Sequence, residues 1–148
     1  REKNEILLYK KINVGVVVSL DENLSLPVLK NVDQLNPQEI TQELMRIRKD
    51  MLKKKSNPDD FTGSTITVSA MDHTDVIRFV PIIHPNQSAI ISVPKIEKRI
   101  DLDNNDKIIK YNTINLGISF DHSFLDANQA NNFFIELENQ INMIVNNI

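Results

Sequence analysis

The chain has 148 residues, 41% hydrophobic and 25% charged, and its 17 basic and 20 acidic residues leave a net charge of −3. That is ordinary globular composition at the length of one domain, or of one large piece of a domain. It argues against a nucleic-acid binder, which needs a basic face, and the absence of cysteine excludes disulfides, cysteine–zinc sites and thiol catalysis. No apolar run approaches the roughly 18 residues of a membrane span. Arg1-Glu2-Lys3-Asn4 does not read as a signal peptide. Neither nucleic acid nor membrane is therefore expected as a partner. The 20 isoleucines and 18 asparagines are scattered, which fits AT-rich coding better than low complexity.

In chain order, residues 12–20 (INVGVVVSL) are almost all apolar and β-branched, which predicts a strand buried on both faces. Asp21-Glu22-Asn23 reads as a turn, and residues 25–30 as a short strand with Pro27 at an edge or bulge. Asn36-Pro37-Gln38-Glu39 is a helix start, with a capping asparagine, proline at the first helical position and a glutamate that completes the box. Ile40, Leu44, Ile47 and Met51 then form one apolar stripe, and Lys53–Lys55 end the helix where positive charge suits its dipole. Asn57-Pro58-Asp59-Asp60 reads as a loop. Residues 65–70 predict a strand. Residues 88–100 and 107–120 predict the two strands of an antiparallel hairpin around Asp103–Asp106. In the second, Ile114, Leu116, Ile118 and Phe120 alternate with Asn115, Gly117 and Ser119, so one face is buried and the other meets something polar. The last helix is expected from about Ala127 to Asn146, with Ala130, Phe133, Phe134, Leu137, Ile141, Ile144 and Val145 as its apolar face. The pattern is that of a single α/β or α+β domain.

The segment richest in chemistry is Ser119-Phe120-Asp121-His122-Ser123-Phe124-Leu125-Asp126-Ala127. A buried strand ends, a histidine follows and a helix begins, a junction that holds catalytic groups on a rigid frame. Histidine is the common general base near neutral pH. On this segment alone, a surface-loop histidine beside a helix-capping Asp126 is the simpler reading. Ser119 could line a channel or face water. Asp72, His73, Asp75 and His84 match no familiar metal-ligand spacing. Asp101, Asp103, Asn105 and Asp106 lack the glycine and the final glutamate of a calcium loop and read as a hairpin turn. Lys53–Lys55 could meet a phosphate, but a solvated helix end is the plainer reading.

Asp121-His122-x-x-x-Asp126 resembles the DHRxxDG motif of the 2-oxo acid dehydrogenase acyltransferases, the E2 components, and the HHxxxDG motif of chloramphenicol acetyltransferase. Other blocks follow in family order. Residues 12–18 resemble a NIGVAV strand, and residues 23–33 resemble GLVVPVIKNAD. Residues 63–69 resemble GGTFTIS, residues 79–85 FTPIINP, and residues 89–93 AILGV. The resemblance spans essentially the whole chain. It implies a chloramphenicol acetyltransferase-like sandwich, a mixed sheet packed by helices, with roughly the first third of the catalytic domain not included. Lipoyl and subunit-binding domains would lie elsewhere.

The resemblance also implies an activity: transfer of an acyl group between dihydrolipoamide and coenzyme A, both substrates, without a metal. Acetyl is the default group, with succinyl or branched-chain groups open. His122 matches the family's base and Ser69 its oxyanion-stabilising serine, 53 residues earlier. Asp126 matches an aspartate that holds the histidine loop. In the family the serine and the histidine meet across a subunit interface. That implies a homotrimer, within a larger core, joined to E1 and E3 components through domains absent here. The expected compartment is bacterial cytoplasm, with mitochondrial or plastid matrix as the alternative. Four positions depart from the pattern: Ser123 for arginine, Ala127 for glycine, Ala70 for asparagine or serine, and Asp72-His73 for a glycine pair. They leave room for an inactive scaffold subunit of the same fold, or for a small-molecule acetyltransferase using coenzyme A.

Overall fold

The structure is a computed structural model, and it describes residues 6–20 and 23–145. Residues 21–22 of the expected Asp21–Asn23 turn, the N-terminal residues 1–5 and the end of the last helix at Asn146 lie outside the described residues, while Asn23 begins a strand rather than ending a turn. Among the described residues, nine strands and two α-helices run in the order β1 (Val14–Val16), β2 (Val18–Leu20), β3 (Asn23–Ser25), β4 (Val28–Leu29), α1 (Pro37–Leu52), β5 (Ile66–Ala70), β6 (Ala89–Val93), β7 (Glu97–Leu102), β8 (Ile108–Thr113), β9 (Gly117–Phe120) and α2 (Ala127–Val145).

The central sheet has the order β4-β1-β5-β6-β9. β1, β5 and β6 run parallel, and β4 and β9 flank them antiparallel. This is the expected mixed sheet, but several strands are shorter than their apolar runs. The run at residues 12–20 breaks at Val17, and its second half leaves the sheet to pair with β3. The segment at 25–30 breaks at Pro27, which has no N–H to donate. Its carbonyl still accepts from Val16 N at 2.8 Å, and β4 resumes as the edge strand. The long hairpin is also divided. Pro94 interrupts one arm and Ile114–Leu116 the other, so the proximal halves β6 and β9 join the sheet while β7 and β8 form a separate ribbon. The ribbon's turn is closed by Asp103, whose Oδ1 accepts from Asn105 N at 2.8 Å and Lys107 N at 3.0 Å. That carboxylate is engaged with backbone, as a hairpin turn requires.

Because side chains alternate along a strand, the register sorts the sheet into two unlike faces. One carries Val14, Val16, Ile66, Val68, Ala89, Ile91, Ile118 and Phe120; the other carries Gly15, Thr67, Ser69, Ile90, Ser92, Gly117 and Ser119. The second face is built of small and hydroxyl-bearing residues. Thr67 Oγ1 donates to Gln87 Oε1 at 2.8 Å, and Gln87 Nε2 to Ser64 Oγ at 2.7 Å. This buried network fixes the 84–87 turn against β5.

α1 begins as expected. Asn36 Oδ1 accepts from Gln38 N and Glu39 N at 2.9 and 3.0 Å, and Glu39 Oε2 accepts from Asn36 N at 2.8 Å. Ile40, Leu44, Ile47 and Met51 face inward, and Ile47 is fully buried where the helix meets β4. Arg46 bridges Glu43 and Asp60 at 2.7 and 2.8 Å, tying the helix to a 3-10 turn at Pro58–Phe61 where the sequence suggests only a loop. Replacing Asn36 by alanine is expected to cost about 1 kcal/mol, read as a lower denaturation midpoint.

α2 has a narrower apolar face than expected. Ala130 is buried and Phe134, Leu137 and Ile141 are half-buried, whereas Phe133, Ile144 and Val145 are exposed. That exposure is general. The accessible surface is 11723 Å². A compact monomer of 17.0 kDa would show about 7,700 Å² by the usual scaling. Val80 and Ile82 are 87% and 92% exposed, far beyond what a self-contained core leaves to water.

Candidate active site

His122 stands on a tight turn that leaves β9. Asp121 N donates to Ser88 O at 2.8 Å, anchoring the turn at the start of β6. Phe124 N and Leu125 N then donate to Asp121 O at 3.0 and 3.1 Å, and Ser123 N to Asp121 Oδ1 at 2.9 Å. His122 is exposed, and its ring packs near Phe120 with centroids 5.1 Å apart at 51°. Asp121 thus holds the turn, accepting three backbone N–H groups that follow His122.

Asp126 is the N-cap of α2. Gln129 N donates to Asp126 Oδ1 at 2.8 Å, and Asp126 N to Gln129 Oε1 at 2.9 Å. Such a reciprocal box fixes where the helix starts, and so where the preceding turn stops. Ala127 follows as the first helical residue and needs no unusual backbone angle.

Ser69 lies near the end of β5 and is half-buried. Its neighbour Ala70 belongs to the opposite face of the strand. Asp72 and His73 stand on an exposed turn, 3.6 Å apart, and neither has a positive φ. The turn is held by Thr74, which donates through both N and Oγ1 to Met71 O at 3.1 and 2.7 Å. Asp75 then pairs with Lys95 at the exit of β6, and hydrogen bonding by that ammonium holds its carboxyl below the usual range. The residues standing in for glycines are therefore taken up by solvent-facing side chains.

The register fixes where these groups lie relative to one another. Ser69 pairs with Ser92, and Ser92 with Gly117, so Ser69 is level with the first residue of β9. His122 follows the last residue of that strand. The two are separated by two strand spacings, about 10 Å, across the sheet and by more than about 10 Å along it. One chain does not bring Ser69 and His122 to the same atom, although Asp126 and His122 share a turn. Among the described residues, no group of three metal-ligating side chains is close enough to hold an ion, and no helix is long and apolar enough to cross a membrane. Asp75 is paired with Lys95, and His84 Nδ1 lies 3.0 Å from Pro85 O. Ser119 does not face water: its Oγ is buried and, among the described residues, has no hydrogen-bond partner.

Two residues of this region carried no signal in the sequence. Ser92 is buried between Ser69 and Gly117, and a Cβ added at Gly117 would come 2.4 Å from Ser92 Oγ. The need for glycine at 117 becomes visible only when β6 and β9 are paired.

The chain matches, over residues 1–147, the family described as 2-oxoacid dehydrogenases acyltransferase (catalytic domain). It is 29% identical over 135 residues to the dihydrolipoyllysine-residue succinyltransferase component of the 2-oxoglutarate dehydrogenase complex of Pseudomonas aeruginosa, covering 91% of this chain and 33% of that protein. A crystal structure of a probable dihydrolipoamide acetyltransferase from Listeria monocytogenes superposes with a TM-score of 0.89 at 27% identity, covering 95% of this chain and 60% of that one. A dihydrolipoamide acetyltransferase from Azotobacter vinelandii, studied for the roles of a serine, a histidine and an asparagine in its catalytic mechanism, superposes at 0.82 with 25% identity, over 90% of this chain and 55% of that one. The chain thus spans about a third of the curated relative's length. With its mixed sheet, its helices and its strand-end histidine turn, it belongs to the acyltransferase catalytic-domain family of the 2-oxo acid dehydrogenase complexes.

Proposed function

We propose that this chain is the C-terminal part of a catalytic domain that moves an acyl group between dihydrolipoamide and coenzyme A, and that its active site forms between copies in a homotrimer. The observation that carries this reading is the placement of Ser69 and His122. Each is held at the end of a strand of one sheet, and neither can reach the other's substrate atom within a chain. In the Azotobacter enzyme the serine and histidine are separated by nearly the same length of chain, and its asparagine stands four positions past the histidine, as Asp126 does past His122.

In this mechanism His122 of one copy takes the proton from the attacking thiol, because the thiolate is the nucleophile and a free thiol is little ionised at neutral pH. The sulfur adds to the thioester carbonyl, and its electron pair moves onto oxygen. Ser69 Oγ of the neighbouring copy donates a hydrogen bond to that oxyanion. Collapse expels the second sulfur, which recovers the proton from the imidazolium. No acyl-serine forms. Asp126 acts through the turn, as a positioning residue. The acyl group is not fixed by kinship, since the relatives' names include both succinyl and acetyl transfer; the default expectation of acetyl is one choice among these.

The test is complementation in the full-length assembled protein. Ser69→Ala and His122→Ala proteins are each expected to be nearly inactive. Subunits of the two, mixed and reassembled at equal ratio, are expected to recover about a quarter of the wild-type sites, because a cyclic trimer then pairs an intact serine with an intact histidine at that frequency. No recovery in well-formed mixed trimers would place both residues in one chain's site. No transfer by the wild-type assembly would mean the fold serves as scaffold.

A further inference from the structure

Beside Ser69 the sheet opens onto a groove of about 440 Å³. Ser92 and Gly117 form its floor, in the same row and on the same face as Ser69. Ser92 is thus one strand spacing, about 4.8 Å, from Ser69. Phe79 and Leu116 supply apolar walls, and Arg78 and Asn115 the polar lining. Glycine at 117 keeps the floor low, because any side chain there would strike Ser92.

The charges around this groove are not equally engaged. Lys95 is paired with Asp75, and Arg99 with Glu97 at 3.0 Å. Asn115 Nδ2 donates to the same Glu97 carboxylate at 3.2 Å. Arg78 is exposed and has no ion pair or hydrogen bond among the described residues. A cation with no acidic partner among the described residues, in an apolar-walled groove one strand from the proposed oxyanion donor, is suited to a carboxylate on the substrate. A guanidinium binds a carboxylate through two parallel hydrogen bonds, and an acetyl group offers it nothing.

We infer that this groove receives the acyl group and that Arg78, in its polar lining, binds a free carboxylate there, so that the acyl group favoured by this protein is that of a short dicarboxylic acid, of the succinyl type. The inference rests on the acyltransferase reading above. The carbon chain would lie against Phe79 and Leu116, with the thioester carbonyl at Ser69.

The test compares succinyl-, acetyl- and isobutyryl-coenzyme A as donors to free dihydrolipoamide. It uses the full-length assembled protein and its Arg78→Gln variant, with assembly verified by light scattering. The expected result is a wild-type preference for succinyl, and a ratio of succinyl to acetyl kcat/KM about ten- to a hundredfold lower in the variant, the size of a lost charge-assisted contact. An Arg78→Lys variant restores part of that ratio if charge is what matters. Wild-type transfer of acetyl or isobutyryl with equal or greater efficiency overturns the inference and leaves the acyltransferase reading intact. A variant that slows all three donors equally also overturns it, because Arg78 then serves the shared coenzyme portion or the fold. Absence of transfer from every donor by the wild-type assembly defeats the acyltransferase reading, and this inference with it.

Discussion

Acyl transfer by the full-length assembled protein is expected to fall about a thousandfold when His122 is replaced by alanine, the middle of the range for loss of a positioned general base. The turn that carries the residue is held by backbone hydrogen bonds to Asp121 and by the Asp126–Gln129 cap, which the substitution leaves in place, so the variant should keep its fold and assembly. The rate constant for a single turnover, measured with acetyl- or succinyl-coenzyme A and dihydrolipoamide, is the direct readout. A second readout separates a lost base from a lost shape: the variant's rate should rise with pH as the attacking thiol ionises unaided. A His122→Ala protein that retains more than a tenth of wild-type activity would remove His122 from the chemistry.

Ser69→Ala is expected to lower kcat about a hundred- to a thousandfold, as removal of one oxyanion donor does elsewhere. KM should change little, because the hydroxyl binds charge that develops only in the transition state. The side chain is half-buried on the polar face, and alanine leaves the β5–β6 pairing through Ser69 and Ser92 in place. The two variants should also differ in kind. The Ser69→Ala rate should keep the wild-type pH profile, whereas the His122→Ala rate should follow ionisation of the attacking thiol. Equal pH profiles in the two variants would contradict the division of labour.

The sequence carried the parts of this site that depend on local chemistry. The cap at Asn36, the stripe on α1 and the position of β5 all follow from short-range rules, and the structure has each of them. The histidine junction was legible as strand, turn and helix, although only the family resemblance separated His122 from an ordinary loop histidine. What failed was strand length. Runs such as INVGVVVSL read as one element because periodicity cannot tell where a strand changes sheets. The breaks at Pro27 and Pro94 are local to the prolines, whereas the break of INVGVVVSL at Val17 and the detachment of the β7–β8 ribbon are set by which partner strand is within reach. Ser92 and Arg78 were silent for the same reason. Ser92 takes its meaning from the row Ser69–Ser92–Gly117, and Arg78 from the groove beside that row, and no local window contains either. The face of α2 was drawn too wide because hydrophobic residues that meet other surfaces look the same in sequence as those that meet the chain's own core.

The distance between Ser69 and His122 has a consequence for the life of the protein before assembly. A newly made chain carries a base with no oxyanion donor opposite it, and a donor with no base. If the site forms between copies as proposed, such a half-site would turn over coenzyme A thioesters far more slowly than the assembled one, so free subunits would not squander acyl groups on water. Activity would then switch on with association and fade on dilution, making turnover a count of completed particles rather than of polypeptides.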